Sequence, residues 1–63
     1  MITIAKTEKY NDDKILVELR GLSTDTKPTS LSGKVVDNGS TFIEIDTGKI
    51  YLYDLENEQW KEI

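Results

Sequence analysis

The chain contains no cysteine and no histidine. Without cysteine there is no disulfide, and without either residue the ordinary ligand sets of a structural zinc site are missing. The two staples that most often hold a small domain together are thereby excluded. Long apolar runs are absent as well. The longest aliphatic run, Ile15 to Val17, is far short of the roughly 20 residues of a membrane span, so no membrane partner is expected. Met1-Ile2-Thr3-Ile4 lacks the basic start and apolar stretch of a secretory signal, which predicts synthesis in the cytosol. Basic residues are few in the second half: Met1 to Lys34 holds six basic and five acidic residues, Val35 to Ile63 only two basic and seven acidic, for a net charge of −4. Phosphate binding needs a basic surface, so nucleic acid is not an expected partner. The acidic half reads as a solvated face that keeps the chain soluble, or as a surface for a basic neighbour.

What remains is a chain of 63 residues with 23 apolar ones, chiefly seven Ile, six Leu and three Val. A chain this short makes one domain, and it buries roughly 60 % of the surface it exposes when unfolded. A core of this size seldom supplies more than about 3–5 kcal/mol. With disulfide and zinc excluded, association with copies of itself or with another protein is the remaining source of added stability.

The apolar pattern is that of an all-β domain, a small antiparallel meander of five or six short strands, sandwich- or barrel-like. Within residues 1–20, Ile2 to Lys9 and Lys14 to Arg20 are two strands joined by the polar turn Tyr10-Asn11-Asp12-Asp13. Ile15, Val17 and Leu19 share one face of the second strand by alternation, which predicts burial of that face. Residues 21–40 form a Ser/Thr-rich loop with the single proline, Pro28, and a short strand at Lys34-Val35-Val36. Such a loop is a connection or a contact arm. Asn38-Gly39 is a favoured turn pair that leads into residues 41–63, which begin with the strand Thr41 to Asp46. A second turn at Thr47-Gly48 would set Ile45 opposite Ile50 and Ile43 opposite Leu52, with Asp46 and Lys49 as a flanking charge pair. That pairing separates an aliphatic face (Ile43, Ile45, Ile50, Leu52) from an aromatic one (Phe42, Tyr51, Tyr53 around Glu44). A last strand, Trp60 to Ile63, adds Trp60 to the aromatic side and Ile63 to the aliphatic side.

Few residue types are left for catalysis. Asp46-Thr47-Gly48 after a hydrophobic strand resembles the aspartic-protease signature, in which two such aspartates share a proton. Lys49 departs from that signature, and 63 residues are too few for a substrate cleft with flaps. The same residues are explained as a hairpin turn. Asp12-Asp13 and Asp37-Asn38-Gly39-Ser40 lack the ligand spacing and closing glutamate of a calcium loop. The four glycines make no phosphate-binding loop. No catalytic residue, metal, cofactor or small-molecule substrate is expected. The candidate binding residues are Phe42, Tyr51, Tyr53 and Trp60, a composition suited to a contact hot spot if exposed and to half of the core if covered. A domain this small favours core or subunit interface over a free ligand platform.

Gly21 to Thr29, Asn38 to Asp54 and Glu58-Gln59-Trp60 together resemble small β modules of tailed-bacteriophage virion proteins, in their Gly-Ser lead-in, Asp-Thr-Gly turn, aromatic strand and closing tryptophan. Head-fibre, capsid-accessory and tail-associated proteins carry such modules. The resemblance covers about two thirds of the chain and leaves out its first 20 residues. It implies a non-enzymatic structural protein of the virion, made in the host cytoplasm, whose partners are its own copies or other virion proteins. A host-directed binding or inhibitor protein is the alternative.

Overall fold

The computed structural model describes all 63 residues and contains seven strands and no helix. β1 (Thr3–Tyr10) and β2 (Lys14–Gly21) form the expected antiparallel hairpin, closed by an Asn11 N–H to Lys14 carbonyl bond of 2.9 Å. β3 (Ser30–Leu31) and β4 (Lys34–Val36) follow, then β5 (Thr41–Glu44), β6 (Ile50–Asp54) and β7 (Gln59–Glu62). β2 is the centre of the sheet. One of its edges carries β1, and the other carries β4 and then β5, end to end.

The all-β reading holds, but the sheet is mixed where a purely antiparallel meander was expected. β4 and β5 both run parallel to β2, with Ile15 beside Val36 and Leu19 beside Phe42. Asn38-Gly39 is therefore a jog between two strands of the same direction and not a hairpin reversal. Gly39 takes the left-handed conformation there (φ 89°), a region open to glycine at little steric cost. The parallel arrangement requires a long connection from β2 to β4, and the Ser/Thr-rich segment supplies it.

A single buried row explains why the sheet curls into a half-barrel. Along β2 burial alternates strictly: Ile15, Val17, Leu19 and Gly21 point inward, Lys14, Leu16, Glu18 and Arg20 outward. Phe42 and Glu44 of β5 and Tyr53 of β6 face the same interior. Gly21 is required by this closeness, because a β-carbon there would lie 2.7 Å from Cζ of Phe42. The core cluster is Ile15, Val17, Leu19 and Phe42, with Ile2, Leu31, Tyr51 and Trp60 packed against it.

The β5–β6 turn differs from the expected one. Ile43 pairs with Ile50 and Thr41 with Leu52, two residues away from the register expected from a Thr47-Gly48 tip. The turn consumes four residues: the Gly48 N–H returns to the Glu44 carbonyl at 2.8 Å, with Gly48 at φ 76°, and the Glu44 N–H meets the Lys49 carbonyl at 2.9 Å. Because the shift is even, every side chain keeps its face. Ile45, expected within the strand, stands in the turn, and Asp46 and Lys49 do not form a flanking pair.

Candidate contact surfaces

The aromatic residues singled out in the sequence converge on the inner face. Phe42 and Tyr53 are buried, while Tyr51 and Trp60 are half-buried. Tyr53 pairs with Trp60 across β6 and β7, and the Trp60 ring lies 5.0 Å from that of Tyr53 and 6.0 Å, edge-on, from that of Phe42. The Trp60 indole N–H donates to the Pro28 carbonyl at 3.0 Å. The 22–29 segment is thus drawn over the cluster. It reaches the interior with one charged side chain that the sequence pattern did not single out, Lys27. The Lys27 ammonium donates to Glu44 Oε2 at 2.7 Å and lies 4.3 Å from the Tyr51 ring centroid and 4.8 Å from that of Phe42. Glu44 accepts a second bond, 2.6 Å, from the Thr47 hydroxyl. These two donors, Lys27 first, hold the Glu44 carboxyl below the usual glutamate range. A carboxylate inside an aromatic face is satisfied in this way by a cation from a loop 17 residues earlier in the chain.

The Asp-Thr-Gly residues serve the same closure. Asp46 accepts the Ser23 hydroxyl at 2.6 Å and the Ser23 N–H at 3.0 Å, and these bonds, the hydroxyl's first, hold its carboxyl below the usual aspartate range. Asp25 is lowered by the Leu22 N–H, then by the Met1 ammonium, and Asp54 first by the Asn57 side-chain amide. Each of these carboxylates fastens a turn or loop end. The Tyr53 hydroxyl is buried without a hydrogen-bond partner, and burial raises its pKa.

Ser40 has a role tied to the break between β4 and β5. β2 bonds β4 at Lys14 and Ile15 and β5 from Glu18 onward. Between them the buried Val17 N–H has no strand opposite it. The Ser40 hydroxyl accepts that N–H at 3.2 Å, and the Ser40 carbonyl accepts from Tyr53 N–H at 2.9 Å. The Gly-Ser pair that opens the C-terminal motif therefore bridges the two parallel segments.

The molecule has no pocket, and what it offers outward is the convex back of the curled sheet. The face opposite the core has no covering layer. On it Ile43 stands beside Ile50, with Leu52 one row away between Thr41 and Lys61. Ile63 extends the Ile50 row through a 2.9 Å bond from its N–H to the Ile50 carbonyl. Ile50 and Leu52 are each 41 % exposed and Ile63 is 76 % exposed. Glu18 and Arg20 on β2 and Lys61 on β7 rim this strip with charge. β1 is the second open surface. All eight of its residues are exposed, and its only strand partner is β2.

Comparison with protein families, curated proteins and solved structures finds no match for this chain.

Proposed function

We propose that this chain is a non-enzymatic accessory structural protein of a tailed-bacteriophage particle, capsid-decorating or head-fibre-like, that works through protein–protein contact. The observation that carries the contact role is the bare outer face, where the aliphatic side chains Ile43, Ile50, Leu52 and Ile63 form one strip rimmed by charge. An apolar strip with a polar rim is the usual composition of a protein-binding surface. The phage setting rests on the resemblance of the Gly21–Thr29 and Asn38–Asp54 segments. In support, the motif residues Ser40, Asp46 and Trp60 each hold the fold closed, as the signature of a structural module would.

The test is the protein content of purified particles. The reading expects this chain at a copy number in the hundreds, and expects Leu52→Asp, a change on an exposed position, to abolish incorporation while the circular dichroism spectrum stays unchanged. Absence from particles would overturn it. A second reading, a host-directed binding protein, is favoured by the exposed acidic end at Glu56, Glu58 and Glu62. Co-purification of one basic host protein with the tagged chain, together with absence from particles, would select that reading.

A further inference from the structure

Three strands, β1, β3 and β7, have a single strand partner, and β1 is the longest of them and exposed throughout. Its only strand partner is β2, and none of the backbone bonds outside the regular ladders involves Thr3 to Tyr10, so its outward N–H and C=O groups have no partner in the chain. Two bulges, at Ala5 and Glu8, interrupt its pairing with β2 and give β1 a repeat of three. Ile4, Thr7 and Tyr10 stand beside the inward residues Leu19, Val17 and Ile15, whereas Thr3, Lys6 and Lys9 stand beside the outward residues Arg20, Glu18 and Leu16. The core ends at β2, and this inward row of β1 is left in solvent, Ile4 at 48 % and Tyr10 at 57 % exposure.

We infer that β1 pairs with β1 of a second copy, antiparallel, about a two-fold axis through Thr7. Three features of the strand select this partner and this register. Placing Thr7 opposite Thr7 sets Ile4 opposite Tyr10 of the second copy, so the inward row of each chain meets the inward row of the other. Lys6 and Glu8 already form an exposed ion pair within the strand at 3.6 Å, and the same register sets them opposite Glu8 and Lys6 of the second copy, so that two further opposite-charge pairs cross the new ladder. The neighbouring register with Ile4 opposite Thr7 of the second copy also sets inward row against inward row, but it brings the two Lys6 side chains together at the axis. Like charges there repel. Lysines and bulges on an edge strand ordinarily discourage sheet extension. Here the lysine that repels its copy in that register has an acid placed to receive it in the other. The interface is isologous, as a two-fold dimer requires, and it joins two half-barrels through a continuous sheet. This inference deepens the contact reading by naming how copies of the chain meet each other, and it leaves the outer aliphatic strip free for the particle.

Sedimentation velocity on the full chain, from low micromolar to near-millimolar concentration, tests it with two charge variants. The wild type is expected to dimerise with concentration. Glu8→Lys, at a bulge position with no partner on β2, replaces both attractive pairs by repulsive ones and should weaken dimerisation about tenfold or more. Lys6→Glu should do the same, and an equimolar mixture of the two variants should form a heterodimer at least as tight as the wild-type dimer. Because Lys6→Glu also faces Glu18 and can loosen its own hairpin, a second measurement is independent of it. The chain has no native cysteine, so Thr7→Cys should cross-link to its own copy under mild oxidation, its β-carbons lying about 5 Å apart. Thr3→Cys, with eight residues of strand at about 3.3 Å each between the two copies, should not. A wild type that stays monomeric, a dimer indifferent to Glu8→Lys, or a Thr3→Cys chain that cross-links as fast as Thr7→Cys would each overturn the inference. A monomer found in particles would overturn β1 pairing alone. A β1-paired dimer absent from particles would overturn the virion reading alone.

Discussion

β1 and β5 flank the same central strand, yet they lead opposite lives. β5 carries Phe42 and Glu44 into the interior and is bonded on both edges, by β2 and β6. β1 is bonded on one edge, and both its faces are open. The difference comes from the long segment after β2. By crossing over the sheet it lays β4 and β5 parallel to β2 and brings Lys27, Pro28 and Leu31 onto the inner face on that side only. The curl closes there and leaves the opposite flank a two-stranded ribbon, which has little stability of its own. One flank of β2 holds the fold together, and the other is available for contact.

Breaking the closed flank should have the largest effect. Phe42→Ala removes the largest fully buried side chain and should cost about 3–5 kcal/mol, comparable to the whole stability of a domain this size. Chemical denaturation is expected to find it largely unfolded without denaturant. Ser40→Ala tests the bridge between β4 and β5. It leaves the buried Val17 N–H without a partner and should cost about 1–3 kcal/mol, seen as a lower denaturation midpoint with an unchanged slope.

The acid response sharpens the comparison further. Asp25, Glu44, Asp46 and Asp54 are all held below their usual range, and all lie beyond β2 in the chain. The unfolded state therefore binds more protons than the folded one in acid, so their stabilisation is present above the unfolded values and is lost as pH falls through the lowered ones. Melting temperature should be flat through neutral pH and decline below about pH 4.5, the ordinary glutamate value. Glu44→Gln should make that decline shallower. The smallest effect belongs to the open flank. Ile4→Ala removes an exposed side chain and should change the monomer's stability by no more than about 0.5 kcal/mol, by the same denaturation assay at low concentration.

The hairpin, the alternation along β2 and the separation of aromatic from aliphatic faces are all legible in the sequence, because each depends on a period of two within a few residues. What was not legible depends on partners far apart in the chain. The parallel pairing of β4 and β5 with β2 has no periodic signature, since a strand's pattern says which face it buries and not which neighbour it takes or in which direction. The aromatic quartet was visible as a face. That it closes over Lys27 was not, because that lysine stands among polar loop residues whose composition points to solvent. Asp46 was recognisable as a turn residue, but its bonds to Ser23 span 23 residues. The four-residue β5–β6 turn was hidden for a smaller reason: it is closed by the backbone bond from the Gly48 N–H to the Glu44 carbonyl, which a two-residue Thr47-Gly48 tip does not contain. The resemblance to virion modules begins only after residue 20 and so bears on the closed flank, while the open flank stands on its own geometry.

Amide hydrogen exchange on the full chain at two protein concentrations tests the unequal flanks of β2 most directly. The account predicts strong protection of β2 and β5 at both concentrations. It predicts rapid exchange of the outward β1 amides when dilute and slower exchange of those same amides when concentrated. Protection of the outward β1 amides equal to that of β5 in dilute solution would contradict it.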